Sequence, residues 1–161
     1  MSEGTNDLCP RCGAPADGEA GCRARLDALM ARAADDPRFA RAYRGAVEAY
    51  AMQHVETFGV SAKSYAAHLT GLCCVVEHAA DPDVFAAIAR WLNGSVPLAK
   101  PELVGERGRL TILDASAAPE PAAHAAAVRD WAADVWNAYR AQHALAHRWL
   151  EAAGRAPARR H

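Results

Sequence analysis

Aromatic side chains make up only 7% of this 161-residue chain, and lysine is scarcer still, present only at Lys63 and Lys100. Positive charge is therefore nearly all arginine, and 18 Lys and Arg against 19 Asp and Glu leave a formal charge of -1. That balance disfavours a nucleic-acid binder, which needs a basic face to meet phosphate; only Arg155, Arg159, Arg160 and His161 form a locally basic stretch. Long apolar runs are missing as well. Nothing approaches the ~20 consecutive apolar residues of a membrane span. The start, Met1–Asp7, has neither a basic n-region nor an apolar h-region, so the reading is a cytoplasmic protein with no membrane partner.

Several catalytic signatures are also absent. There is no Gly-x-Ser-x-Gly elbow, no phosphate loop, no Gly-x-Gly-x-x-Gly and no His-Glu-x-x-His. Ordinary hydrolase, kinase and dinucleotide chemistry thus has no support. No alternation of period two runs long enough to build a sheet.

The chain does hold 52% hydrophobic residues, but about a quarter of all residues are alanine, which favours helix without filling a core. Helical spacing appears from Cys22 to Ala34 through Leu26, Leu29, Met30 and Ala33. After Asp36-Pro37 restarts the chain, Phe39, Tyr43, Val47, Tyr50, His54 and Phe58 form a second stripe, ending at Gly59. Ser61 caps a third helix through Tyr65, Leu69, Leu72, Cys73 and Val76, and Asp81-Pro82 opens a short fourth through Val84, Ile88, Trp91 and Leu92. Residues 95–118, with Pro97, Pro101, Gly105 and Gly108, read as a loop lying against the bundle. A long helix then runs from about Pro121 to Ala153, with Val128, Trp131, Val135, Gln142, Leu145 and Trp149 on one stripe and Trp136, Tyr139, His143 and Leu150 on another. The expected fold is all-α: one bundle of about five helices (22–153), a cysteine knuckle segment (1–21) and a disordered basic tail (154–161).

Five cysteines fall into two groups. Cys9-Pro10-Arg11-Cys12-Gly13 places two thiols two residues apart with a glycine turn, the half-site of many structural zinc centres, and Cys22 follows near the start of a helix. Tetrahedral zinc needs a fourth ligand, and none is local. It must come from the helical body, with His54 the leading candidate beside His68 and His143. Counted from the Gly59 turn, His54 lies roughly 7–8 Å and His68 roughly 12 Å along adjoining helices, so the two can be neighbours. His143 and His147 share a helix face, His78 reads as a solvated end residue, and Cys73 and Cys74 read as small buried hydrophobes.

With the knuckle and Cys22, then Val47–His54, Ser64–Leu69, Leu72-Cys73, Leu110–Asp114 and the run Trp131, Val135, Trp136, Tyr139, His143, the chain resembles a bacterial family of uncharacterised proteins. The family pattern has a CPxCG knuckle and a later cysteine, a VxAYxxQHP segment, a SxxxHLxxL helix, an LTxxD stretch and a terminal WxxxVWxxYxxxH helix. Val55 stands where that pattern has proline, and His78 and His147 have no counterpart in it. The resemblance implies metal binding and brings no activity.

Three functions compete. The first is a zinc-binding helical module (iron as the alternative) with Cys9, Cys12, Cys22 and His54 as ligands, serving as a binding or accessory module for a protein or small molecule. The second is a small metalloenzyme in which His54, His68 and His143 line a pocket and Gln53 orients a substrate. The third is a thiol redox sensor.

Overall fold

The computed structural model describes residues 7–154. Among them are nine α-helices and no strand; Leu8 and Pro15 make one isolated antiparallel bridge. The helices are α1 (Gly18–Asp35), α2 (Pro37–Ala40), α3 (Tyr43–Gln53), α4 (Val55–Phe58), α5 (Ala62–Glu77), α6 (Pro82–Leu92), α7 (Ile112–Ser116), α8 (Pro121–Ala138) and α9 (His143–Gly154). The fold is all-α, as the spacing predicts. Residues of the expected tail from Arg155 onward lie outside the described residues.

Helices α3, α5 and α8 pack against one another, α9 covers α5 and α6, and α1 crosses α3 and α7. Their shared interior holds Tyr50, Met52, Tyr65, Leu69, Leu72, Trp131 and Tyr139, all fully buried. Ala46, Ala49, Ala66 and Ala132 are also buried, so alanine here allows close helix approach while the few aromatics supply volume. Local caps act where the sequence places them. Asp36 accepts from the Arg38 amide, Ser61 and Ser64 form a reciprocal capping box, and Asp81 accepts from the Asp83 amide.

The structure departs from the sequence reading at four places. The first helix begins at Gly18, ahead of Cys22. The helix expected from Pro37 to Phe58 is interrupted at Arg41–Ala42 and again at His54, whose backbone (φ -118°, ψ 43°) leaves helical geometry while its ring turns inward. Val55 then occupies the first position of α4, the place where a proline would be harmless, so the break stands without one.

The long last helix is likewise broken, at a 3-10 turn over Arg140–Gln142. There Tyr139 donates its hydroxyl to the Met52 carbonyl at 2.5 Å, and Gln142 accepts from the Tyr65 hydroxyl at 2.5 Å and donates to the Glu102 carbonyl at 3.0 Å. These hydrogen bonds anchor the chain where the helix breaks. Finally, the segment expected as loop ends in a helix, because Thr111 and Asp114 form a capping box that starts α7 at Ile112. The remaining strap, residues 95–111, lies across α3 and α8, with Asp134 accepting from the Arg109 and Leu110 amides at 2.6 and 2.8 Å.

Candidate metal centre

The knuckle folds on its own backbone before it meets the helices. The Cys9 amide donates to the Ala14 carbonyl and the Gly13 amide to the Cys9 carbonyl, both at 2.8 Å. Gly13 sits at φ +78°, a left-handed conformation costly to a residue with a Cβ. This turn aims Cys9 and Cys12 at the second turn of α1, where Cys22 faces inward. The tip residue Arg11 reaches Glu19 of α1 at 3.8 Å and Glu56 of α4 at 3.9 Å, tying the knuckle to both.

Four donor atoms then converge: the Sγ atoms of Cys9, Cys12 and Cys22 and the His54 ring lie within 4.8 Å of one another. His54 Nε2 is 3.5 Å from both Cys9 Sγ and Cys22 Sγ, and Cys12 Sγ is 3.7 Å from Cys22 Sγ. An ion with Zn–S bonds of ~2.3 Å and Zn–N bonds of ~2.0–2.1 Å spreads tetrahedral ligands to roughly 3.8 Å for S···S and roughly 3.5 Å for S···N. These three spacings match those edges, and the other three donor pairs lie within 4.8 Å. His54 Nδ1 donates to the Tyr50 carbonyl at 2.8 Å, which leaves the Nε2 lone pair facing the sulfurs. The imidazole also stacks on the Tyr50 ring, with centroids 3.8 Å apart. The break of α3 at His54 is what permits this pose.

Cys9, Cys22 and His54 are almost fully buried and Cys12 is half-buried. The Cys22 thiol is drawn down to about 4, first by its hydrogen bond with Cys12 and then by His54 and Tyr50, against the opposing effect of burial. Cys12 is pushed up by the same partnership and by burial. One thiolate is therefore already favoured at this spot, and a cation would favour the others. A shallow cavity of about 310 Å³ opens beside the ring of His54, between Arg23, Tyr50 and Phe58. A larger one, about 590 Å³, lies between the strap and α8 and is lined by none of the four clustered residues.

A model of a family described as a family of unknown function (DUF5946) matches residues 7–140. The chain belongs to that family. No curated protein and no solved structure matches the chain. The span matched by the family takes in all four residues of the cluster and stops before His143. No helix among the described residues is long and apolar enough to cross a membrane.

The other candidate residues lie apart from the cysteine cluster. His68 donates from Nδ1 to Glu48 Oε2 at 2.8 Å and meets His54 only through the intervening rings of Phe58 and Tyr50. His143 stacks on Trp136 and donates from Nε2 to the Trp136 carbonyl at 2.8 Å. The structure therefore does not gather His54, His68 and His143 around one pocket. Gln53, next to His54, points the opposite way and is wholly engaged with Trp131, Arg107 and Leu110. Cys73 and Cys74 are buried in α5, and burial pushes their thiols up to about 12 and about 11.

One histidine escaped the sequence reading. His124 is buried near the start of α8, accepts from Arg32 at 2.8 Å and sits edge-on to Phe39; burial holds its pKa down. Its signal was present, since His124, Val128 and Trp131 fall at steps of four and three on one stripe.

Proposed function

We propose that Cys9, Cys12, Cys22 and His54 bind one zinc ion as a structural centre, and that the protein is a helical binding or accessory module of the cytoplasm. The observation that carries the reading is the tetrahedral spacing of four donors drawn from three separate stretches of chain. Near-complete burial of three of them supports a closed, structural site over one that keeps a coordination position for substrate. The zinc would clamp residues 7–17, which have little core of their own, onto α1 and α3. Three thiolates and one imidazole suit zinc better than a hard cation, with iron the alternative. A reducing compartment fits thiols that sit this close without being joined.

Elemental analysis of the purified chain tests the proposal, and the expected content is one zinc per chain. Less than about half an equivalent of zinc or iron would overturn it. A redox role has one observation in its favour, the 3.7 Å between Cys12 and Cys22, the pair an oxidant would join. It predicts a reversible loss of two hydrogens from that pair on mild peroxide treatment, with release of any bound ion.

A further inference from the structure

A second donor cluster stands at the C-terminal end of α5, well separated in sequence from the cysteine knuckle and sharing no residue with it. The ligand atoms of Cys73, Glu77 and His78 lie within 4.8 Å of one another. His147, on α9, places Nε2 at 2.7 Å from Glu77 Oε2. Cys73 and Glu77 are four residues apart on one helix and so share a face, and α9 packs directly on α5.

The carboxylate of Glu77 is held as a metal-binding carboxylate would be. Trp136 donates its indole N–H to Oε1 at 3.2 Å, while Oε2 faces Cys73 Sγ at 3.4 Å and His147. Trp136 is itself fixed by the His143 ring stacked on it, centroids 3.8 Å apart. An outer layer that orients a carboxylate and leaves one oxygen for the inner set is a recurring feature of metal sites. We propose that Cys73, Glu77 and His78, joined by His147, which is hydrogen-bonded to Glu77 but stands outside that group of three and moves in as the fourth ligand, form a second and exchangeable site for a divalent transition-metal ion.

The donor set, one thiolate, one carboxylate and two imidazoles, suits zinc. In a tetrahedron an O···S edge is roughly 3.6 Å, close to the Cys73–Glu77 separation, and an O···N edge is roughly 3.4 Å. The His147–Glu77 pair must therefore open from its present hydrogen bond as the ion enters. His147 can do so, with half of its side chain exposed. On binding, the Cys73 thiol releases its proton to solvent, the S–H bond giving way to a sulfur–metal bond. Because Cys73 is buried while Glu77, His78 and His147 are exposed, the ion comes and goes from the outer side.

Zinc and cobalt(II) titrations of the full chain test this. The expected result is two equivalents per chain, the second weaker, with the Co(II) form gaining one further thiolate-to-metal absorption that Cys73→Ala removes. Glu77→Gln and His147→Ala should each weaken the second equivalent about tenfold or more and leave the first intact. Cys9→Ala should do the reverse, which separates this proposal from that of the N-terminal centre. A wild-type chain that takes up one equivalent up to the solubility limit of the metal, or a second equivalent that survives His147→Ala and Glu77→Gln together, would overturn it. His147→Ala changes an exposed side chain, so its result does not depend on the tolerance of the core.

Discussion

Trp131 donates its indole N–H to Gln53 Oε1 at 3.0 Å, and Gln53 in turn donates to the carbonyls of Arg107 at 3.1 Å and Leu110 at 2.7 Å. One fully buried amide thus joins α8, α3 and the strap. Replacing it with leucine would leave an indole N–H and two carbonyls without their partner. At ~1–3 kcal/mol for each unmet buried group, partly relieved by shifts of the strap, Gln53→Leu should cost about 2–4 kcal/mol and on the order of 10 °C in Tm. Limited proteolysis should find new cleavage within residues 95–111. Zinc content should stay at the wild-type level, since Gln53 faces away from the thiols; loss of the metal would instead place Gln53 in the support of that centre.

The same amide shows what was legible in the sequence and what was not. Caps at Asp36-Pro37, Ser61 and Asp81-Pro82, and the apolar stripes between them, are local and could be read directly. That a histidine of the helical body would meet the three cysteines was legible for a different reason: a tetrahedral ion needs four ligands, and only three thiols lie near one another in the chain; that count left His68 and His143 beside His54. What escaped is polar and remote. Nothing near Gln53 announces that its partners lie beyond position 106, and nothing near Tyr139 or Gln142 reveals that Met52, Tyr65 and Glu102 will bend the last helix there. A stripe count treats such residues as neutral, although their hydrogen bonds decide where helices stop.

Removing the metal should loosen one end of the molecule. In the zinc reading, residues 7–17 are held chiefly through Cys9 and Cys12, whereas α3, α5 and α8 keep their own core. A bound ion at ~1,000 times its Kd stabilises by ~4 kcal/mol, so a strong chelator should lower Tm by about 8–16 °C. Far-UV circular dichroism should remain largely helical while amide exchange rises in the knuckle and the first turn of α1. His54→Ala should reproduce the loss without chelator. An unchanged Tm in excess chelator, with the metal shown to be gone, would contradict a structural role.

Glu56 is the charged junction of knuckle, α4 and strap. Arg107, almost buried, binds it through two nitrogens at 2.6 and 2.7 Å, and that interaction holds the Glu56 carboxyl down to about 2 from an ordinary 4.5. The folded pKa lies below the unfolded one. The stabilisation is therefore full above about pH 4.5 and is lost as pH falls from there towards 2. Glu56 is 28% exposed, so solvent screening limits the effect to about 1–2 kcal/mol. Acid also protonates thiolates, so the difference between wild type and Glu56→Gln is the quantity to measure. That difference should shrink between pH 5 and pH 3 as followed by denaturant unfolding, and a constant difference would mean that the pair contributes nothing through charge.

Gly71 and Glu48 offer the sharpest test of packing in the bundle. A Cβ on Gly71 would stand 2.7 Å from Glu48 Cδ and 2.8 and 2.9 Å from its two oxygens. The carboxylate cannot simply swing away, because Glu48 is buried and Oε2 holds His68 at 2.8 Å. Two effects oppose each other in Gly71→Ala. Alanine improves helix propensity by about 1 kcal/mol, and the displaced carboxylate costs about 2–3 kcal/mol through overpacking and a weakened contact with His68. The clash should win, leaving a net loss of about 1–2 kcal/mol. If so, the sign must reverse once the carboxylate is gone: in a Glu48→Ala background the new methyl enters free space, and only the gain in propensity remains. The double mutant should then be more stable than Glu48→Ala alone by up to about 1 kcal/mol, a coupling of about 2–3 kcal/mol between two residues on facing helices. Additive effects in that cycle would show that the glycine serves helix approach in general and not the seating of this carboxylate.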